Sequence, residues 1–372
     1  MGLSHRAVRA VAARFALEGQ IVGVQRLGGG HINESYRVDV QARETGEARS
    51  YLLQCVNARV FPRPDLVMEN VGRVTRHVAA RLAAAELPGR DRRALTLIRT
   101  RQGHDWHGEP DGACWRAFAF IPGTMVRERA AGPEDASAAG RAFGEFLRLL
   151  TDYDGPPLHE TIPGFHDTAA RFARLEAAIG ADPCARAAAA GPEIEATLAG
   201  RALAAVLPPL LASGGVPVRI VHNDAKLANV LLDARTGEAL CVVDLDTVMP
   251  GSALYDFGDM VRSMSSPTAE DEEDVSRIAV RLPMFEALAR GYLGAVGGIL
   301  TAKERELLGF AGRLITLEQA VRFLTDHLEG DRYYRIERPG QNLARCRTQL
   351  ALLHSLTLHA TELDTIVARW VG

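Results

Sequence analysis

The chain has no apolar run approaching the roughly 20 residues that a bilayer-spanning helix needs. It also lacks a basic excess. Its 43 Lys and Arg stand against 46 Asp and Glu, for a formal net charge of −3, which argues against a general nucleic-acid binder with its basic surface. Cysteine is sparse: Cys55, Cys114, Cys184, Cys241 and Cys346 make an odd set without disulfide or metal spacing. That pattern suggests a reducing, cytoplasmic setting. Cys55 and Cys241 lie in strand-like apolar runs and read as buried thiols. The histidines are scattered, and none stands with cysteines in a zinc-ligand pattern; no Cys–His pairing gives local support for nucleophilic catalysis. A signal peptide is missing too, because Arg6, Arg9 and Arg14 interrupt Val8, Val11 and Phe15. That pattern is a surface helix started by Ser4. Arg6, where Ser or Thr would be needed, excludes an N-terminal acylation motif. Neither an internal repeat nor a Pro/Ser-rich linker is present.

What is there reads as globular. The hydrophobic fraction is 47% and the charged fraction 24% of 372 residues, ordinary values at a length that suggests two lobes. Strand patterns come first, over 21–27, 36–40, 50–56, 95–100 and 114–121. A helix with Val71, Val74, Val78 and Leu82 at helical spacing separates the third from the fourth. Glu69 at its start suits the helix dipole. Pro122-Gly123 ends the strand pattern and helices follow, which predicts an N-terminal lobe over 1–121 and a C-terminal lobe over 122–372. Thr301 with Glu304 makes a capping box. Leu307, Phe310, Leu314, Leu317, Val321, Leu324 and Leu328 form a core-facing stripe, and one last helix is expected over 343–370.

Residues 221–259 carry the chemistry. His222-Asn223-Asp224-Ala225-Lys226-Leu227-Ala228-Asn229 is followed by an apolar run, a turn over 233–237, and a second run ending at Asp244. Two strands joined by a tight loop bring Asp224, Asn229 and Asp244 to one end of a hairpin. Phosphoryl transfer needs this set, since its catalysis is largely positioning and charge neutralisation. Asp224 would orient an acceptor hydroxyl and take its proton late, because an alcohol is too weak an acid to ionise first. Lys226 would place a positive charge over the moving group. Asn229 and Asp244 offer the hard oxygen ligands that Mg²⁺ prefers, with Asp246, on the same side of the strand, as a second carboxylate. Asp256, in Tyr255-Asp256-Phe257-Gly258, reads as a brace for the catalytic loop through backbone N–H groups.

The nucleotide side is thinner. Gly28, Gly29, Gly30, His31 and Asn33 lie in or beside a turn between two strands, where backbone N–H groups can approach phosphates. The crossing at Phe120 and Ile121 would offer N–H and C=O groups to an adenine edge. The strand over 50–56 has no Lys or Arg where many kinases place a phosphate-binding cation, and Gln54 is its only long polar side chain. The acidic run over 270–274 reads as a solvated helix N-terminus, with attraction of a polycationic substrate as the other reading.

The segments VHNDAKLANVLLD and VVDLDTVMPGSALYDFGD resemble the aminoglycoside phosphotransferase/choline kinase-like superfamily. LGGGHINESYRV, YLLQCVN, FPRPDLVMEN, IPGFHDT and VRFLTDHLEGDRYYRIERPGQNLARCRTQL are most similar to its N-acetylhexosamine 1-kinase branch, over nearly the whole length. The resemblance implies an α+β, two-lobed protein-kinase-like fold with a small antiparallel-sheet N-lobe and a larger helical C-lobe. It implies ATP and Mg²⁺ as cofactors and phosphorylation of a hexosamine at the anomeric hydroxyl. It implies Asp224 as the catalytic carboxylate and Asn229 and Asp244 as metal ligands. Asn223, Thr247, Arg322 and Tyr333 would line the sugar site. Cys55 departs from the cation which that branch favours after the glutamine. A kinase of aminoglycosides or other small alcohols, and a nucleotide-binding pseudokinase, are the alternatives.

Overall fold

The computed structural model describes residues 4–28, 32–86 and 89–370. Gly29, Gly30 and His31, expected at the nucleotide, lie outside them. The N-lobe is an antiparallel sheet. β1 (Gln20–Arg26), β2 (Glu34–Gln41) and β3 (Ala48–Val56) pair in succession, β6 (Cys114–Ala119) pairs with β3, and β4 (Leu97–Ile98) and β5 (His107–Gly108) both pair with β6. Alternation buries each face. Tyr36, Val38, Val40, Tyr51, Leu53 and Trp115 pack on Val8, Val11 and Ala12 of α1 (His5–Ala12), which Ser4 caps. Val56, Cys114 and Phe118 face the other side and join Val67, Met68, Val71, Val74 and Val78 of α2 (Pro64–Ala84) in the large core. The strand expected over 95–100 contracts to Leu97–Ile98 because Thr100 leaves the ladder to bridge Phe15. Cys241 is buried as expected, whereas Cys55 is only partly covered.

The sheet ends at Ala119, and β7 (Thr124–Met125) already pairs with β9 (Val230–Asp233), which pairs with β10 (Ala239–Val242). A two-stranded ribbon of β8 (Arg219–Val221) and β11 (Met249–Gly251) frames the catalytic stretch. The remainder is helical: α3 (Pro133–Leu150), α4 (Thr168–Ala181), α5 (Gly191–Ala199), α6 (Arg201–Ala204), α7 (Leu207–Ala212), α8 (Ala253–Met264), α9 (Leu282–Val296), α10 (Ala302–Glu306), α11 (Leu308–Leu328), α12 (Gln341–Leu358) and α13 (Ala360–Trp370). The stripe on α11 is buried from Phe310 through Leu328. The capping box at Thr301 and Glu304 is present. The single helix expected over 343–370 is two, divided at His359, because α12 packs on α11 whereas α13 packs on α9. Among the described residues no single helix is long and apolar enough to cross a membrane.

Two contacts tie this frame to the catalytic stretch. Arg219 on β8 donates to both carboxylate oxygens of the fully buried Glu304, at 2.6 and 2.8 Å. Asn70 on α2 donates to Val248 O at 3.1 Å and His159 O at 2.8 Å. Glu69 beside it pairs with Arg73 and His159.

Glycine lets α3 and α9 meet closely. A Cβ at Gly291 would lie 2.2 Å from Ser137 O, and one at Gly140 would lie 2.5 Å from Leu288 O. Gly294, on the same helix, has no such neighbour. Gly291→Ala should therefore destabilise by about 1–3 kcal/mol through overpacking. Gly294→Ala should be neutral or stabilising, by up to about 1 kcal/mol of helix propensity. Urea unfolding midpoints of the two variants test the pair of expectations.

Candidate active site

β8 delivers His222, Asn223 and Asp224 into a loop whose shape is set by Asp256. Its Oδ2 accepts the His222 N–H at 2.9 Å and its Oδ1 the Asn223 N–H at 2.7 Å. This is the bracing role expected of it. Asn223 takes a left-handed φ of 64°, a conformation that Asn tolerates better than most residues. The His222 ring is buried edge-on against Phe143 and Phe146, and its Nε2 bonds Val243 O at 2.9 Å. Backbone and ring together fix where Asp224 points.

Asp224 has two unequal oxygens. Oδ2 takes both the Lys226 ammonium at 2.9 Å and Asn229 Nδ2 at 3.0 Å. Oδ1 forms no hydrogen bond with any described residue. Burial pushes this carboxyl up, but Lys226, His222 and Asn229 outweigh it and hold the pKa well below the ordinary carboxylate range. Burial likewise opposes the Lys226 charge, and Asp224 with Asp244 restores it and raises its pKa. Lys226 and Lys303 are the only lysines in the chain.

Asp244 follows β10 with a left-handed φ of 60°, and Val243 N–H reaches back to Asn229 O at 2.9 Å. Its carboxylate has no hydrogen-bond or ion-pair partner among the described residues. Burial, followed by the negative charges of Asp246 and Asp224, pushes its pKa up to about 6. Asn229 spends Nδ2 on Asp224, which leaves its Oδ1 as a free acceptor. Among the described residues no three His, Cys, Asp or Glu side chains gather at metal distance. A carboxylate plus an amide oxygen nevertheless suits Mg²⁺, which keeps waters and takes few protein ligands beside substrate phosphates.

Other expected site residues are directed differently. Asp246, expected as a second metal ligand, is 2% exposed with both oxygens engaged, by Arg116 Nη1 and by Asn33 Nδ2 at 2.7 Å. Asn33, expected at the nucleotide, thus bridges Asp246 to Asn57 N–H at 3.0 Å. Asn223 turns inward, donating to Thr247 O at 2.9 Å and Met249 O at 3.3 Å. Thr247 donates its hydroxyl to His222 O at 2.7 Å. Both lie in the wall behind the acceptor side because these carbonyls, left by the short ribbon, need donors. Gln54 lies between Ser35 Oγ at 2.9 Å and Arg116 Nε at 3.1 Å. Gly28 is exposed, and a Cβ there would meet nothing within 4 Å. At the crossing, Phe120 N–H is spent on Ser50 O and Ile121 O on the Thr124 hydroxyl. Phe120 C=O and Ile121 N–H have no partner among the described residues.

On the far side Arg322 lies among three rings, 5.1 Å from Phe165, 5.5 Å from Tyr334 and 5.8 Å from Tyr333. Gln319 is its hydrogen-bond partner at 3.1 Å, and Tyr333 remains 47% exposed. Asp326 shapes this wall by accepting the N–H groups of Arg332, Tyr333 and Tyr334. His166 joins it to the catalytic loop, with Nδ1 at 2.8 Å from Glu318 and Nε2 at 3.1 Å from Asn223 O. Burial opposes the imidazolium, but Glu318 prevails and raises its pKa. His166, Glu318 and Arg116 were missed from sequence; the one signal for Arg116 was a single charge inside an apolar strand.

Because the raised pKa of Asp244 means a bound proton below about pH 6, a divalent ion must displace that proton there. Mn²⁺ affinity, measured by titration calorimetry, should be flat above that value and fall about tenfold per pH unit below it. Asp244→Asn should lose both the affinity and its pH dependence.

The model of the Phosphotransferase enzyme family matches residues 23–293. A microcompartment-associated aminopropanol kinase has 15% identity over 97% of this chain and 99% of its own, with a TM-score of 0.56. A choline/ethanolamine kinase family protein from Mesorhizobium loti has 17% identity over 98% and 99%, with a TM-score of 0.51. Spectinomycin phosphotransferase, solved with ADP and spectinomycin, has 12% identity over 94% and 98%, with a TM-score of 0.53. These likenesses match the two-lobed fold, and the family match spans most of the chain together with its catalytic stretch. The chain belongs to the phosphotransferase enzyme family.

Proposed function

We propose that the protein transfers the γ-phosphoryl group of ATP to the anomeric hydroxyl of an N-acetylhexosamine, giving the sugar 1-phosphate and ADP. The observation that carries the acceptor class is the Arg322 wall. A guanidinium among Phe165, Tyr333 and Tyr334 offers forked donors to ring hydroxyls and aromatic faces to a sugar. It offers no anionic surface for a polycation. The acidic run over 270–274, expected as a helix N-terminus, is a loop ending in a short 3₁₀ turn, and four of its five acids pair with arginines. Glu270 pairs with Arg262, Glu272 with Arg277, and Asp271 and Glu273 with Arg338. That disfavours an aminoglycoside acceptor. The intact set of Asp224, Lys226, Asn229 and Asp244 disfavours a pseudokinase.

In this reading the open Oδ1 of Asp224 accepts the acceptor hydroxyl proton as the new O–P bond forms and the bond to the β-phosphate bridge breaks. A depressed pKa keeps that carboxylate ionised beforehand. Lys226, anchored on the other oxygen, adds positive charge near the transferring group. Mg²⁺, held by Asp244 and Asn229 Oδ1, supplies charge neutralisation to the phosphate oxygens when bound. At the crossing, Phe120 C=O and Ile121 N–H are unspent among the described residues, and since they point to opposite sides of one trans peptide, one of the two would meet an adenine edge. ADP in the spectinomycin phosphotransferase of the same fold supports the nucleotide assignment.

Phosphorus NMR of a reaction with ATP, Mg²⁺ and GlcNAc or GalNAc should show an anomeric phosphate. A 6-phosphate, or ADP release only with choline, amino alcohols or aminoglycosides, would overturn the assignment. Asp224→Asn should lower kcat by about 10²–10⁴-fold, the usual worth of a general base, with the ATP Kd unchanged. Arg322→Gln should cost about 1.5–3 kcal/mol in kcat/KM for the sugar, the value of a charged hydrogen bond, while the KM for ATP stays put.

A further inference from the structure

Residues 50–56 of β3 carry no Lys or Arg, and their long polar side chain is Gln54; Arg49, at the other end of the strand, is paired with Glu18 and Glu47. The cross-strand partner of Gln54, in register on β6, is Arg116. Arg116 is 1% exposed and is the one charged residue in an otherwise buried strand. A guanidinium is costly to bury, and a buried ion pair is often no better for stability than apolar residues of the same volume. Its placement therefore calls for a role beyond packing.

The surroundings of Arg116 define that role. Nε donates to Gln54 and Nη1 to Asp246, while Nη2 forms no hydrogen bond with any described residue. Gln54 and Asp246 tie it in turn to Ser35 and Asn33, where the chain leaves the glycine-rich turn. Its charge is felt at Asp244, the proposed metal ligand. The guanidinium thus lies between Asn33 and Ser35, just past the glycine-rich stretch, and the carboxylate suited to Mg²⁺. It sits directly across the sheet from Gln54. An arginine fork with one unused edge suits a phosphate oxygen.

We propose that Arg116 binds the nucleotide phosphates, supplying from β6 the positive charge that residues 50–56 of β3 lack, with Asp246 as the counter-ion that orients it. Asp246 is then a positioning residue and leaves the metal to Asp244 and Asn229. The proposal rests on the nucleotide half of the proposed function and is independent of the acceptor.

Calorimetry with ATP and with adenosine, in Mg²⁺ and without any acceptor, tests it. Removing Arg116 alone would strand a buried carboxylate, so the comparison is Asp246→Asn against Asp246→Asn/Arg116→Gln. The second change should weaken ATP at least about tenfold, the worth of one charge-assisted hydrogen bond, and leave adenosine within about threefold. Adding Gln54→Arg to the double variant places a cation on β3 opposite position 116 and should recover most of the lost ATP affinity. Equal ATP affinity in the two variants, parallel losses for ATP and adenosine, or no recovery on adding Gln54→Arg would overturn the role of Arg116. If the Arg116→Gln variants fail to fold, Arg116→Lys keeps a charge beside Asp246 without the guanidinium fork; it should weaken ATP about tenfold and leave adenosine unchanged, and an unchanged ATP affinity would overturn the role. A wild-type protein binding neither ligand would instead overturn the nucleotide assignment itself.

Discussion

Everything in the active site depends on one carboxylate that does no chemistry. Asp256 sits at 2% exposure and accepts the N–H groups of both His222 and Asn223. Without those bonds the left-handed turn at Asn223 would have nothing to hold it, at a cost of about 1–3 kcal/mol for such a conformation. The turn is what lets Asp224 leave the ribbon and face the cleft. Its partner is the left-handed turn at Asp244, held through the bond from Val243 to Asn229 and through the His222 ring on Val243 O. Two strained residues, each the hinge for a functional carboxylate, are thus fastened to the same histidine.

Charge is distributed over the three carboxylates with a clear asymmetry. Asp224 has Lys226, and Asp246 has Arg116. Asp244 has neither an ion-pair nor a hydrogen-bond partner among the described residues, and its neighbours are the other two acids. Burial, joined by the charges of those two acids, pushes its pKa up to about 6. An unpaired carboxylate in a buried setting is expensive unless something positive joins it. The site is therefore neutral where protons are handled and electronegative at one point only. A divalent cation there would relieve the repulsion while meeting its preference for hard oxygen.

Much of this was legible because it is local. The spacing from His222 to Asn229, the turn over 233–237 and the strand ending at Asp244 required only short-range pattern, and so did Asp256 as a brace. The pairing of Asp246 with Arg116 bridges 130 positions and that of Glu318 with His166 bridges 152. Periodicity carries no record of such partners. Asn223 and Thr247 were assigned to the sugar from their segments, yet their polar atoms serve the carbonyls of a ribbon whose strands span only Arg219–Val221 and Met249–Gly251. The division at His359 escaped notice for a related reason. α12 packs on α11, whereas α13 packs chiefly on α9, a long-range partner that local pattern does not record.

The choice of lysine at position 226 follows from the same geometry. The chain meets nearly all its cationic needs with arginine, and only Lys226 and Lys303 depart from that habit. An arginine beside Asp224 would tend to span both carboxylate oxygens, as Nε and Nη2 of Arg219 do with Glu304. Lysine is a compact point charge and needs one oxygen. Here it shares Oδ2 with Asn229 Nδ2. The two donors hold the ring of contacts on a single side, so Oδ1 keeps its lone pairs for a proton. For the late base proposed here at Asp224, a carboxylate has to be anchored without being consumed, and one ammonium plus one amide on one oxygen achieves that.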